Sequence, residues 1–487
     1  MNRIYLAFLL LNSFFLCSYA QLTIDPGQLK TINTFYDGYN SQDYDKMRSS
    51  MSAVIKLILT ESKVRNLYSA QYQMLGHTSI SKIIPRSERS YIIYLKYDRD
   101  TTEVQTMGIS LSGKNKIIGF SSPSFKVHLA RKDSTIPIPK EVAIQRLDSL
   151  LKLKSETAGF NGCILAIRNG TVFYENCAGY SDLDTRAELN THTLFDLASC
   201  GKQFTAMAVM MLQQQGKLNY NNNIVDYFPD FPYKNITIEN LLNHTSGVPD
   251  YMELFEKHWD SSKTAINKDV LDYFIKYKPK VEFSPGKEYA YSNSGYVILS
   301  SIIEKISGKT FADYLQDNIF RPLGMSDSKV YNTKYTQQEV ISNFAKGYTY
   351  SSKTNQFVSV ISRPDLNFYR FLDGITGDGA VCSTISDLVK WDNALRAYTL
   401  VSKETFSKAM EPFKTTNGEI SNYGFGWELQ LDPKYERVIY HSGNWGGNIT
   451  FILHLLDNYL SVVVLSNNEY FNTPKFAISI ANIINGL

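Results

Sequence analysis

The run Gln203-FTAMAVMML-Gln213 limits most strongly the folds open to this chain. It is apolar almost all round, as a helix enclosed on every side must be, so it belongs at the centre of a domain with other elements packed about it. Immediately before it stand Ser199, Cys200, Gly201 and Lys202. A serine and a lysine three residues apart on a helix share one face, so the amine reaches the hydroxyl and readies it for attack on a carbonyl. Polar atoms at the tip of a buried helix require a reason, and an activated nucleophile supplies one.

The spacing alone is weak. Ser-x-x-Lys recurs at Ser79/Lys82, Ser149/Lys152, Ser284/Lys287 and Ser326/Lys329. Only the helix that follows and the segments downstream separate Ser199/Lys202 from these four.

Residues 1–20 carry one early arginine, an apolar stretch interrupted by Asn12 and Ser13, and a small-residue end before Gln21. That pattern reads as a secretory signal peptide cleaved near Ala20/Gln21, which predicts a secreted or periplasmic protein; an uncleaved anchor is the alternative. No later stretch has membrane-spanning length, so no integral span is expected once the signal is removed. Fifty basic and forty-seven acidic residues give a formal charge of +3 with no basic cluster, and hence no electrostatic case for nucleic acid. A small-molecule ester or a peptide, including cell-wall-derived material, is the expected partner.

Beyond the signal lie Cys163, Cys177, Cys200 and Cys382, none at metal-ligand spacing. No His-x-x-x-His or Cys-x-x-Cys occurs either, so neither metal nor cofactor is expected. Cys163 and Cys177 flank a hairpin, CILAIRNGTVFYENC, that turns at Asn169-Gly170. A two-residue turn there pairs residue 163 with 176 and puts Cys177 on the other face, so a disulfide between the two cysteines requires a longer turn.

Two folded units are expected. From 21 to 127 a helical opening precedes strand-like segments RSYIIYLKYD, EVQTMGISLS and KNKIIGFSS, a small α+β accessory domain. It loosely resembles the cone-shaped nuclear-transport-factor-2-like fold through FYDGYNSQDYDKM. Residues 128–141, with charges and prolines, read as a linker. The second unit, 142–487, begins with a helix and the hairpin and ends with YGFGWELQL, RVIYHSG, ITFILHLLD and YLSVVVLSN. A sheet assembled from both ends of that unit, with a helical middle between them, is the architecture this order implies.

Three further segments bear on Ser199: Tyr291-Ser292-Asn293 in a turn entering an amphipathic helix, His441-Ser442-Gly443 on a strand running into a glycine-rich bend, and Leu242-Asn243-His244-Thr245-Ser246-Gly247 in a loop. In this order they resemble the serine β-lactamase and penicillin-binding-protein superfamily, most closely its class C β-lactamase, D-Ala-D-Ala carboxypeptidase and esterase branch. LLNHTSGV, FADYLQDNIFRPLGM, GDGAVCSTISDLVKW, YGFGWEL and VVVLSNN extend the resemblance over nearly all of residues 155–470. It implies a serine β-lactamase-like α/β (α+β) fold, an antiparallel sheet flanked by helices with an all-helical subdomain.

The resemblance also implies roles. Ser199 attacks the acyl carbon to form an acyl-enzyme; Lys202 holds a positive charge beside it; Tyr291 shuttles the proton, its pKa lowered by the ammonium. Either Lys202 or Tyr291 is the formal base. Asn293 holds Lys202 and the substrate amide, and as a plain alternative caps its helix. The backbone N–H groups of Ser199 and Asn444 meet the oxyanion. His244 belongs to a structural loop, Asp378 to a turn or cap, and Cys200 to core packing.

One departure matters. Penicillin-recognising members carry Lys-Thr-Gly where this chain has His441-Ser442-Gly443, so a permanent cation becomes an imidazole that is mostly neutral at pH 7. Recognition of a β-lactam or D-Ala-D-Ala carboxylate is thereby put in doubt, and His-x-Gly resembles the esterase and D-amino-acid amidase or peptidase members. Gly201 costs roughly 1 kcal/mol of helix stability relative to alanine and would leave room beside the nucleophile. The expectation is a secreted serine hydrolase acting on an ester or amide. The alternatives are a genuine class C β-lactamase or D-Ala-D-Ala carboxypeptidase, and a non-catalytic protein using the same pocket for peptide binding or assembly.

Overall fold

The computed structural model describes residues 24–58, 64–65, 68, 72, 76–87, 90–98, 105–121, 138–336, 341–351, 354, 356–432 and 436–486. The signal peptide expected over 1–20 and most of the linker expected over 128–141 lie outside them. The chain divides into two compact units, Met1–Phe125 with Ser351–Gln356, and Lys126–Tyr350 with Phe357–Leu487. Among the described residues no helix is long and apolar enough to cross a membrane.

In the first unit, helices α1 (Pro26–Asn40), α2 (Tyr44–Ser49) and α3 (Ala53–Ile58) precede a four-stranded antiparallel meander, β1 (Thr78–Ser87), β2 (Ser90–Tyr97), β3 (Gln105–Leu111) and β4 (Ile117–Ser121). Asp25 caps α1 by accepting from the backbone N–H groups of Gly27 and Gln28, with Pro26 at the first helical position. The buried face of α1, Ile32, Phe35, Tyr36 and Tyr39, repeats at helical spacing and packs with Ile93, Leu95, Ile109 and Ile117 of the sheet.

The second unit is built on a six-stranded antiparallel sheet. Its strands are β5 (Gly162–Arg168), β6 (Thr171–Ala178), β7 (Glu428–Gln430), β8 (Val438–Trp445), β9 (Asn448–Leu455) and β10 (Leu460–Ser466), in the order β7-β8-β9-β10-β5-β6. Both ends of the unit thus meet in one sheet. The central strands GCILAIR and LSVVVLS are buried almost throughout, because both faces of the sheet are covered. Period-two alternation divides them: Cys163, Leu165 and Ile167 face the core that contains helix α5 (Lys202–Gln214). Helix α10 (Thr473–Ile484) packs on β10, β9 and α4 (Lys140–Ala158). The helical middle includes α6 (Tyr251–His258), α7 (Asn267–Tyr277), α8 (Asn293–Ser307) and α9 (Ile385–Ala397).

Helix α5 is enclosed from Lys202 to Leu212, with Phe204 stacked on Trp391 at 4.2 Å between ring centroids. The hairpin corrects the expected register. Asn169 and Gly170, at φ +53° and +75°, form the two-residue turn, and Arg168 opposes Thr171. A bulge between Ala166 and Ile167 then places two residues of β6 against one of β5, and from there Cys163 opposes Cys177. The two cysteines form a disulfide. A bulge changes the facing residues as a longer turn would, and no residue type in the hairpin announces it.

Candidate active site

A three-stranded sheet of Lys329–Val330, Val381–Ser383 and Phe195–Asp196 delivers the chain to the nucleophile. Asp196 Oδ1 accepts from the Ala198 backbone N–H at 2.9 Å, and Ala198 adopts the left-handed region at φ +49°. Ser199 follows inside the 3₁₀ turn Ala198–Gly201, which runs directly into α5 at Lys202. Three residues per turn stack positions i and i+3 on one edge, so the turn type itself aligns Ser199 with Lys202.

Lys202 Nζ donates to Ser199 Oγ at 3.1 Å, Asn293 Oδ1 at 2.9 Å and the Asp378 carbonyl oxygen at 2.7 Å. Its side chain is fully buried, and burial holds its pKa down at about 8 against the opposing pull of Asp378. Tyr291 lies over the same amine, with Nζ 4.9 Å from its ring centroid, and its hydroxyl is within hydrogen-bonding reach of Ser199. Tyr291 exposes 42% of its surface as a whole, yet desolvation by the packed site raises the phenol well above its ordinary value. The expected lowering by the ammonium is therefore reversed, because loss of water around the hydroxyl outweighs a cation that sits against the ring.

Asn293 opens α8 at its first helical position. The cap is Ser292, whose Oγ accepts from the Gly295 N–H at 3.1 Å, which leaves the Asn293 side chain to Lys202. His244, at φ +60° and fully buried, accepts from the Ser292 N–H through Nδ1 at 3.1 Å and packs 4.3 Å from the rings of both Tyr291 and Tyr423. It holds the turn that carries Tyr291 and Asn293.

On β8, Gly446 and Gly447 at φ +55° and +79° make a two-residue hairpin turn that pairs Trp445 with Asn448. The alternation this sets directs the N–H groups of residues 445, 443 and 441 to β9, and those of 444 and 442 to the opposite edge. β7 pairs only with residues 438–440, so the Asn444 N–H faces the edge beside the nucleophile turn. The Ser199 N–H, in the first turn of its helix, has no intrahelical acceptor. Gly443 makes the approach possible: a Cβ there would stand 2.3 Å from the Leu197 carbonyl oxygen and 2.3 Å from Thr450 Oγ1.

His441 shares the face of Ile439 and Gly443, toward the α5 core. Its Nδ1 donates to the Ser442 carbonyl oxygen at 2.6 Å, so Nε2 accepts from the Tyr423 hydroxyl at 2.8 Å. Burial, and then the Lys202 charge, push the imidazole down to about 3. Ser442 alternates to the other face of β8 and is exposed. The structure thus gathers Ser199, Lys202, Tyr291 and Asn293 around one amine and sets the Asn444 backbone opposite.

Several participants escaped sequence reading. Asp378 is not only a turn residue: its carbonyl takes Lys202, and its Oδ2 accepts from the buried Tyr251 hydroxyl at 3.0 Å. Lys334, with 2% of its side chain exposed, lies 3.0 Å from Asp196 Oδ2 and 3.7 Å from Asp373 Oδ1. A cavity of about 190 Å³ beside Ser199 is bordered by Lys334, Asp373 and Asp378 together with Met252, Leu372 and Trp445. The glycines and the aspartate of GITGDGA, and Asp373 just before it, look like ordinary turn residues in one dimension, and nothing local marks them. Gly201 leaves no room, since a Cβ there would sit 3.3 Å from Val381 atoms. Cys200 is fully buried with its thiol pushed up to about 12 by burial, and it packs against the His441 carbonyl as expected of a core residue. Among the described residues no group of side chains could hold a metal ion.

The model of the Beta-lactamase family matches residues 147–482. Penicillin-binding protein 4* of Bacillus subtilis (strain 168) is 39% identical over 325 residues, 67% of this chain and 72% of that protein. Protein flp of Staphylococcus aureus is 26% identical over 340 residues, 68% of this chain and 64% of flp. Among solved structures, the octameric penicillin-binding protein homologue from Pyrococcus abyssi superposes with a TM-score of 0.60 at 26% identity, covering 70% of this chain and 77% of that one. The D-amino acid amidase of Ochrobactrum anthropi SV3 has the same fold, with a TM-score of 0.58 at 24% identity over 71% of this chain and 98% of that one.

Proposed function

The chain belongs to the Beta-lactamase family, and on that premise we propose that it is a secreted serine hydrolase that cleaves an ester or amide through an acyl-enzyme on Ser199. The observation that carries this reading is the 3.1 Å approach of Lys202 Nζ to Ser199 Oγ in an enclosed site that holds the amine at about 8. A lysine so depressed is partly neutral near pH 8. In that form its lone pair accepts the Ser199 proton, and the hydrogen bond runs from hydroxyl to amine. Tyr291, raised and protonated, then acts as a donor that relays this proton to the leaving group rather than as a phenolate base. Asn293 and the Asp378 carbonyl fix the amine, and the N–H groups of Ser199 and Asn444 receive the oxyanion, each such donor contributing about 10²–10³ in rate.

The neutral His441 favours a small ester, or an amide or peptide of the D-amino-acid type, over a substrate recognised by its carboxylate. Acylation by penicillin is the second reading, favoured by the name of the 39% identical relative. Labelling with a fluorophosphonate tests the main proposal: wild type should be marked on Ser199 and Ser199→Ala spared. Equal labelling of the two proteins would overturn it.

A further inference from the structure

Resting on the serine-hydrolase reading, we propose that Lys334 is a positioning residue for Ser199: it balances the buried Asp196 carboxylate, and Asp196 in turn holds Ala198 in the left-handed conformation that aims the nucleophile.

The chain is fixed as far as Leu197, whose N–H donates to the Val381 carbonyl oxygen at 2.9 Å. Ala198 then turns at φ +49°, a region that a residue with a Cβ enters only against steric resistance. Such a conformation persists only where its surroundings impose it. The restraint here is local: Asp196 Oδ1 accepts from the Ala198 N–H at 2.9 Å and closes a turn directly before Ser199. Relaxation of Ala198 to negative φ would redirect the next peptide, and with it the Ser199 N–H and Oγ. β8 lies against the same residue, since a Cβ on Gly443 would stand 3.1 Å from Ala198 Cβ. The conformation of Ala198 thus bears both on the approach of Ser199 to Lys202 and on the placing of the Ser199 N–H relative to Asn444.

Asp196 is fully buried, and a carboxylate so enclosed needs a cation to keep its charge. Lys334 Nζ, 3.0 Å from Asp196 Oδ2, supplies one. The lysine is itself anchored. Its Nζ donates to the Tyr331 carbonyl oxygen at 3.0 Å and lies 3.7 Å from Asp373 Oδ1. The next residue, Tyr335, gives its N–H to Asp373 Oδ2 at 2.7 Å and its hydroxyl to the Gly446 carbonyl oxygen at 3.4 Å. An ammonium has three N–H groups, and three acceptors surround this one, so Lys334 acts through Asp196 and not on substrate. Burial works against its charge, but the carboxylates, Asp196 foremost, outweigh burial and hold the amine above its ordinary value. Without Lys334, Asp196 would be an unpaired buried charge, relieved by turning the carboxylate away from Ala198 or by protonating it. Either change loosens the turn.

Fluorophosphonate labelling, timed at several probe concentrations and well below each variant's unfolding midpoint, tests this. In Lys334→Met the maximal labelling rate should fall about tenfold to a hundredfold, with the half-saturating concentration within about threefold of wild type, because the nucleophile is misplaced and the cavity is not. Asp196→Asn/Lys334→Met discards the charge but keeps an oxygen for the Ala198 N–H, and should label about fivefold faster than Lys334→Met or better. These rates are read on folded protein, so a lysine that merely stabilised the fold would show neither the loss nor the rescue. If Lys334→Met does not fold, Lys334→Gln replaces it in both proteins. A crystal structure of the single variant should show Ala198 at negative φ or Ser199 Oγ drawn away from Lys202 Nζ, a readout that needs no activity. Labelling of the single variant within about threefold of wild type, no gain in the double variant, or an unmoved Ala198–Ser199 turn would overturn the proposal. A displaced turn in the variant of a protein whose wild type takes no label would sink the serine-hydrolase reading and leave the role of Lys334 standing.

Discussion

His441 Nε2 lies 2.8 Å from the Tyr423 hydroxyl, and each of the two residues exposes only 1% of its surface. With Nδ1–H donating to the Ser442 carbonyl and Nε2 facing the Tyr423 hydroxyl, burial disfavours a second proton on the imidazole. It is a neutral acceptor at every pH at which the protein would be assayed. The position that carries a lysine in penicillin-recognising relatives supplies no cation here.

Acylation by benzylpenicillin should therefore be slow in wild type and faster in His441→Lys by about tenfold or more, the gain typical of a close charge pair in an enclosed site. Intact-mass measurement of the adduct against time reads this directly. Acylation of wild type by benzylpenicillin as fast as by p-nitrophenyl acetate would contradict it.

The depressed Lys202 sets the pH dependence. Because the neutral amine is the active form, kcat/KM for p-nitrophenyl acetate should rise as pH increases through about 8 and then level off. The Asp378 carboxylate favours the charged lysine, so Asp378→Asn should move the midpoint to lower pH. A rate–pH profile of both proteins with this uncharged ester decides the point, and a midpoint near 10.5 in wild type would show that burial does not depress the Lys202 amine.

His244 should matter through the turn it holds. His244→Leu keeps the bulk but strands the Ser292 N–H, a loss of about 1–3 kcal/mol. We expect kcat/KM to fall roughly tenfold to a hundredfold through misplacement of Tyr291 and Asn293. His244→Asn, which restores an acceptor, should recover part of the loss. Equal kinetics in the Leu and Asn variants would show that only ring packing counts.

Gly443→Ala should be among the most damaging single-methyl changes. The added carbon would meet backbone and hydroxyl oxygen at 2.3 Å, forcing β8 away from the nucleophile turn at about 3 kcal/mol or more. Thermal unfolding and fluorophosphonate labelling should both suffer, whereas Gly216→Ala, strained by its φ of +69° but with nothing within 4 Å, should lose some stability and retain labelling.

The Cys163–Cys177 bridge closes a loop over a sequence separation of 14. Cys177→Ser should lower stability by up to about 3 kcal/mol, seen as a shift in the urea midpoint that reductant reproduces in wild type. No shift would mean the hairpin needs no covalent tie.

The enclosed helix after Lys202, the strands at both ends of the second unit and the order of the Ser199, Tyr291 and His441 segments were legible because each is written in local patterning: an apolar run, period-two alternation, a short motif. Their order carries the family resemblance, and it is that resemblance which implies the fold class and the gathering of Ser199, Lys202, Tyr291 and Asn293. What tertiary structure alone decided lies where residues far apart meet. The bulge that brings Cys163 opposite Cys177 adds a residue with no mark in the chain. The phenol of Tyr291 is raised by desolvation in a site packed from other segments, an effect that no neighbour in sequence encodes. Asp196, Lys334, Asp373 and Asp378 come from three separate stretches and acquire their shared charge only when the small sheet and the GITGDGA loop close around Ser199. Local pattern specifies which elements form; burial and charge balance, which determine what the site can do, depend on long-range packing.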